Sequence, residues 1–517
     1  MRPLWALLLA VPIGMSSRAE VNPEYSVAWI GNSFSGAQRW VQQDISDLFV
    51  TPDGTIYTNV YWDEAGAEVS VYRNGEVIAV AGHTHGWGYH GGNAIAVNSR
   101  YVYFGQQVEN EGGGLVGADT WPPAGFVWYG VGRRPRERLQ EPAPFPDGKG
   151  GRGDTLEKSF LLIHQVPEEH EPDPVAIAGL WATEERLYVS CPYDDRIRVY
   201  DAETMRPLFS WPVSRPGALW MDSEGVLWVV QRASEMEPAQ VSAYTADGLP
   251  DMRRVLLPEG VVPGDLWGDE KGHLYLSDLG PAQQIHVYDV SRAPSRLVES
   301  LGERGGIYAP PTGRVGPWRF HDPKGVGLDA EGNLYVASDG STGGGGTVLE
   351  CYGPDRSLRW QLLGIHFVDC ADLDLRSEED VYTKEEHLRV DWDAPEGLSW
   401  EYRGFTVDRY RYPPRSSSPR LVGRGTGPMD RRETFSRREH DAHGDSLAAL
   451  PVPRRPGNGD GDSVGAVLGP PPGPGRLAAP PTGARGMALA RRQRKRGLRS
   501  RRIRYSWRRR QPRYVGN

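Results

Sequence analysis

An all-β fold made of repeated small sheets is what this 517-residue sequence predicts, and three observations carry it. The first is a motif. TPDGTIYTNV (51–60), DSEGVLWVV (222–230), DEKGHLYLSD (269–278) and DAEGNLYVASD (329–339) each join an acidic-Gly turn to an apolar-aromatic strand, with weaker copies at 98–105, 183–190 and 377–384. The second is a partner strand ending in Tyr, 12 to 17 residues after the anchor aromatic, at Tyr72, Tyr200, Tyr244, Tyr288 and Tyr352. The third is spacing: the anchors Tyr57, Tyr103, Tyr188, Trp228, Tyr275, Tyr335 and Tyr382 lie 46, 85, 40, 47, 60 and 47 residues apart.

Each element follows from local chemistry. Acidic-Gly pairs favour the positive-φ turns of hairpins, and alternating apolar residues suit strands with one buried face. Every unit is therefore a short antiparallel meander. A period of about 40–50 residues is that of a four-stranded propeller blade, which buries its faces only against its neighbours. The expectation is a β-propeller of seven blades, within a range of six to eight, over residues 20–412. The 85-residue spacing carries an insertion at about 106–172 (ENEGGG, GFVWYGVGRRPRE, FPDGKGGRGDT), expected to cover one face and shape a site.

The segment GVGLDAEGNLYVASD (325–339) resembles an NHL repeat, and its neighbours resemble the related senescence-marker/gluconolactonase propellers, over roughly residues 43–390. The likeness is to secreted bacterial propellers and is specific for architecture, because that fold hosts lactonases, lyases and non-catalytic binders.

The ends differ from the body. Residues 1–19, MRPLWALLLAVPIGMSSRA, combine Arg2, an apolar run from Leu4 to Ile13 and a small-residue Ser17-Arg18-Ala19 ending, the pattern of a signal peptide. The mature chain is expected to be a secreted or periplasmic monomer with no membrane span. Residues 412–517 hold 24 Lys and Arg against 7 Asp and Glu, a net +17, which leaves −25 for residues 1–411. The Arg/Pro/Gly-rich stretch 413–517 sustains no strand or helix period and is expected to be disordered. It reads either as a polyanion-binding arm or as out-of-frame translation of GC-rich DNA; the abrupt break after GFTVDRYRYP favours the latter, and nucleic acid is not expected as a partner.

Three cysteines, Cys191, Cys351 and Cys370, allow at most one disulfide, so stability must come from an apolar core, to which 17 Trp and 23 Tyr can contribute. Aligning the units ten residues before their anchors gives one column at the start of the innermost strands: Asp47, Asn93, Ala178, Ala218, Asp265, Gly325 and Asp372. Inner strands converge on one mouth, where Asp47, Asn93, Asp265 and Asp372 would repel one another unless neutralised. Oxygen ligands of this kind suit a divalent cation, Ca²⁺ first and Zn²⁺ second. The resemblance implies the same, since gluconolactonase-like propellers hold a metal by oxygens at the channel. The competing reading is that these residues make turn or blade-to-blade hydrogen bonds.

A second candidate is HTHGWGYHGG (83–92). His83 and His85 share one side of an extended segment, and His90 precedes the second inner strand; His321 and His366 stand at comparable places before later strands. Together they suit a metal or an acid/base near neutral pH, with His90 and His321 the leading catalytic candidates. His83, His85, Trp87, Tyr89 and His366 are ligand-binding candidates, the aromatics as stacking platforms for a sugar. Packing and surface hydrogen bonding are the plainer roles for all of them. Arg133, Arg134 and Arg136 could meet a carboxylate or sulfate, or simply be solvated.

Two chemistries are excluded. GNSFSG (31–36) lacks the Gly two residues after Ser33 that a nucleophile elbow needs, and no phosphate-binding or dinucleotide glycine motif follows a strand. The expected function is binding of a small or carbohydrate-like ligand at the central funnel, either as a divalent-metal-dependent lactonase-type hydrolase or lyase, or as a non-catalytic scaffold for protein or glycan binding.

Overall fold

The computed structural model describes residues 25–30, 41–60, 68–81, 89–110, 120–168, 176–338, 346–365, 371–374, 376–383, 385–394, 400–407 and 487–492. Among them the architecture is all-β, with one 3₁₀ turn at Gly306–Tyr308 and no α-helix. Among the described residues no helix is long and apolar enough to cross a membrane.

Seven antiparallel sheets follow one another along the chain. Their innermost strands are Ile45–Val50, Ile95–Val97, Gly179–Ala182, Pro216–Met221, Pro263–Gly268, Pro323–Leu328 and Ala371–Leu373. Three further strands complete each sheet outward, and in the second sheet Tyr89–His90 adds a short extra pairing on Tyr101–Val108.

The repeat motif explains the uniformity. Gly54, Gly225, Gly272 and Gly332 all take φ near +80°, as the hairpin turns require. Asp222, Asp269 and Asp329 each accept main-chain N–H bonds two and four residues on, closing the same turn three times. The outer tyrosines repeat too: Tyr72, Tyr200, Tyr244, Tyr288 and Tyr352 pair with Ile56, Leu187, Leu227, Leu274 and Leu334 of the second strands, each beside a register shift.

Six of the seven sheets close the ring. Each inner strand packs on the next from the first sheet to the sixth, and Pro323–Leu328 of the sixth returns to Ile45–Val50 of the first. Gly325 and Gly327 make that closure possible, because a Cβ at either would stand 2.7 Å from Leu48 or 2.4 Å from Val50. The seam is hydrogen-bonded as well: Thr347 donates its N–H (3.0 Å) and its hydroxyl (2.6 Å) to the Gln43 carbonyl, and its Oγ1 accepts from Ile45 N–H.

The seventh sheet packs on the outside of this ring. Val381, Leu388, Val390, Tyr402 and Phe405 share a core with Val348 and Ile365 of the sixth sheet and with Ile307 of the loop before it. Phe405 donates its N–H to Gly313, and Tyr402 its hydroxyl to Gly364. Seven meanders were expected and seven are present; the ring they build has six.

The insertion is less an excursion than expected. Phe126–Pro135 and Phe160–Pro167, inside 106–172, are the third and fourth strands of the second sheet. Residues 1–24, and 413–517 apart from Met487–Arg492, lie outside the described residues; that strand pairs antiparallel with Tyr25–Ile30.

Candidate functional site

Three aromatic side chains fill the hub. Phe49, Trp181 and Trp267 come from the inner strands of the first, third and fifth sheets, each opposite the anchor aromatic of its own second strand. Their ring centroids lie 5.2 to 5.7 Å apart, tilted or edge-on, an arrangement that suits the quadrupoles of aromatic rings.

Beside this plug lies a small cavity lined by Asp47, Gly179, Ala218 and Asp265. Its volume is about 10 Å³, at the threshold for one water. Asp265 is buried and Asp47 half-buried, and they play the same part in two sheets. Asp47 accepts from Leu48 N–H at 2.9 Å and, through its other oxygen, from Ile95 N–H of the next sheet at 2.8 Å. Asp265 accepts from Leu266 N–H at 2.7 Å and from Val326 N–H of the next sheet at 2.8 Å. Each carboxylate thus joins two blades.

Burial drives both carboxyl groups up, to about 7 at Asp265. At Asp47 the nearby charge of Asp265 adds to burial, and the main-chain hydrogen bonds only partly oppose it.

The expected oxygen column assembles only in part. The residues that match Asp47 and Asp265 two places before the anchor pairing are Ala94, Gly179, Ala218 and Gly325, so Asn93 and Ala178 are one residue out of register. The cause is turn length: Val97 pairs with Val102 and Ala182 with Leu187, one residue tighter than Val50 with Ile56. Asp372 pairs directly with its anchor Tyr382, across a turn two residues longer, and stands exposed on the seventh sheet. Asp47 and Asp265 share the hub; Asn93, half-buried, and Asp372 are not among its lining residues.

The expected histidine cluster divides. His83, His85, Trp87 and His366 lie outside the described residues, and of Tyr89 only the backbone is described, paired with Val108. His90 pairs with Gln107 in the second sheet, its Nε2 3.3 Å from Glu109 Oε2. His321 is buried instead of facing a funnel: its Nε2 is 3.2 Å from the Gly346 carbonyl, and its ring meets Phe405 edge-on at 4.7 Å. It thus stands between the sixth and seventh sheets.

Arg133 and Arg134 are buried and Arg136 is half-buried; of the three, Arg134 meets a carboxylate, that of Glu68 within the chain. Arg133 donates to the carbonyls of Ala143, Pro144, Ala202 and Glu203. Arg134 Nε binds Glu68 Oε1 at 2.6 Å with both side chains fully buried, and Arg136 donates to the Tyr57 hydroxyl.

Sequence reasoning missed one cluster. His164, Cys191 and Asp194 offer ligating atoms that all lie within 4.8 Å of one another, at the seam between the second and third sheets. The available signal was slight: CPYDD (191–195) follows an anchor strand, and a lone His sits in FLLIHQVP (160–167).

No family profile and no curated protein matches this chain. Among solved structures it is similar to the hydrazine synthase of Kuenenia stuttgartiensis, at 14% identity over 62% of this chain and 78% of that one, with a TM-score of 0.36. It is also similar to a chain of a nidogen/laminin complex (13% identity, 61% and 91% covered, TM-score 0.33) and to a gluconolactonase from Xanthomonas campestris (14%, 48% and 76%, 0.28). The fold is read from the chain's own sheet order and inner-strand packing: an all-β propeller ring of six antiparallel sheets with a seventh packed outside it.

Proposed function

We propose that this protein is a non-catalytic binding propeller whose hub is structural and whose partner, a protein, docks on the outer edges of the fourth and fifth sheets. The supporting observation is an exposed apolar strip there. Met252 (93% exposed), Leu249 and Leu256 lie on or beside the edge strand Pro250–Leu256, and Leu297 and Val298 on the edge strand Arg296–Leu301. The two edges adjoin, because Ser295 Oγ donates to the Arg254 carbonyl at 2.6 Å. Apolar patches on edge strands mark association surfaces, and Met is enriched at them.

A second reading, a divalent-cation-assisted hydrolase or lyase of lactone type, is favoured by the paired carboxyls of Asp47 and Asp265. The hub residues do not fit Ca²⁺, which takes six to eight oxygen ligands. Here the carboxylate oxygens already accept main-chain N–H bonds, and the remaining wall is largely Phe, Trp, Leu and Ile. A sugar lactone is far larger than a cavity of about 10 Å³.

Displayed peptides selected on the wild-type chain and counter-screened on the double variant Met252→Glu/Val298→Glu test the docking reading. Binding lost in the variant is the expected result; equal binding to both rejects the surface. Turnover of sugar lactones with Ca²⁺ or Zn²⁺, abolished by Asp265→Asn, would reject the non-catalytic reading.

A further inference from the structure

His164 owes its orientation to an irregularity in its strand. The pairing of Phe160–Pro167 with Phe126–Pro135 shifts register between Leu162 and His164, and a shift of this kind re-aims side chains. The imidazole is 8% exposed and buried against the third sheet. Cys191 ends the strand Arg186–Cys191 and is fully buried, and Asp194 lies in the turn that follows, 27% exposed.

Two polar atoms converge here without a hydrogen-bond partner: His164 Nε2 and Asp194 Oδ1, both buried and 3.7 Å apart. With its proton on Nδ1, the imidazole presents Nε2 as a lone-pair donor. Asp194 is held from its other side, where Oδ2 accepts from Arg198. Oδ1 is thereby turned toward His164 and Cys191.

We propose that His164, Cys191 and Asp194 form a Zn²⁺ site that clasps the outer strand of the second sheet to the third. A thiolate, an imidazole and a carboxylate suit Zn²⁺, and the sulfur ligand disfavours Ca²⁺ and Mg²⁺. Bonds of about 2.0–2.3 Å at tetrahedral angles separate ligand atoms by about 3.3–3.8 Å. The His164–Asp194 distance of 3.7 Å lies a few tenths of an ångström beyond the separation of about 3.3–3.5 Å for a nitrogen and an oxygen ligand, and the sulfur stands within 4.8 Å of both, so small side-chain movements bring the three onto one ion. Thiolate and carboxylate together cancel the ion's charge, so the adjoining Arg198 is tolerated. Cys191 gives up its proton to solvent as the metal binds.

The full-length chain, stripped by chelator and dialysed, is titrated with Zn²⁺ and with Co²⁺ as a spectroscopic probe. One equivalent of Zn²⁺ per chain should bind and raise Tm with concentration. The Co²⁺ form should show thiolate-to-metal absorption that Cys191→Ser abolishes and Cys351→Ser leaves intact. His164→Gln should weaken Zn²⁺ by at least about tenfold. If Cys191→Ser does not fold, Asp194→Asn, altered where the site meets solvent, must weaken Zn²⁺ to the same extent. Cobalt bound without the thiolate band, a band that survives Cys191→Ser, unaltered affinity in His164→Gln or Asp194→Asn, or a Tm indifferent to Zn²⁺ would each overturn the site.

Discussion

Asp265 accepts the main-chain N–H of Val326 at 2.8 Å, across the boundary between the fifth and sixth sheets. Asp47 does the same to Ile95 between the first and second. The repetition identifies a structural device: a carboxylate at the hub pins the next blade's inner strand where a side chain of ordinary length can reach it.

Asp265 makes stability depend on pH with an unusual sign. Its pKa rises from 3.8 to about 7 on folding, so the folded chain holds more protons between those values and stability falls as pH rises through the window. Glu350, also buried and raised to about 7, contributes in the same direction. Asp265→Asn should flatten part of that slope in urea unfolding measured from pH 4 to 8. At pH 5 the variant should lose about 1–3 kcal/mol, because one of the two N–H groups loses its acceptor. At pH 8 the gap should narrow or reverse, since the buried charge is gone. An unchanged slope would contradict the assignment.

Gly179 tests how tightly the hub is packed. A Cβ there would lie 2.3 Å from the Gly217 carbonyl oxygen of the neighbouring inner strand, and backbone cannot move aside cheaply. Gly179→Ala should therefore cost about 1–3 kcal/mol or more. Gly225→Ala, where nothing lies within 4 Å but φ is +79°, separates local strain from interblade collision. A larger loss at Gly179 in denaturant midpoints is the expected order.

Glu68 and Arg134 form a fully buried ion pair between the first and second sheets. Glu68→Ala should destabilise by about 3–5 kcal/mol, because it strands a buried guanidinium. Replacing both, Glu68→Leu with Arg134→Met, should recover much of that loss, and a double-mutant cycle in thermal unfolding measures the coupling. Additive losses would show that the pair acts as two independent residues.

The seventh sheet should be dispensable for ring closure. A chain ending after Ile365 retains Thr347, Gly325 and Gly327, which seal the sixth sheet to the first. Circular dichroism should show retained β structure and a cooperative melt, at a Tm lowered by exposure of Ile307, Val348 and Ile365. Loss of cooperative unfolding would mean that the seventh sheet belongs to the wheel.

The sequence by itself determined the units. Acidic-Gly turns, apolar alternation and recurring tyrosines are local properties, and local hydrogen bonding and side-chain period suffice to make each meander. Tertiary structure alone decided how many meanders form the ring, because closure depends on Gly325 and Gly327 meeting Leu48 and Val50 nearly 300 residues away. It also decided which site residues meet. A turn one residue shorter moved Asn93 and Ala178 out of the hub column, and a turn two longer, on a sheet outside the ring, removed Asp372. The same holds for His164, Cys191 and Asp194, brought together by a register shift and a blade boundary that no periodicity records. Repeats are set by interactions a few residues apart, whereas sites depend on contacts across the whole ring, where a single residue of register changes which atoms meet.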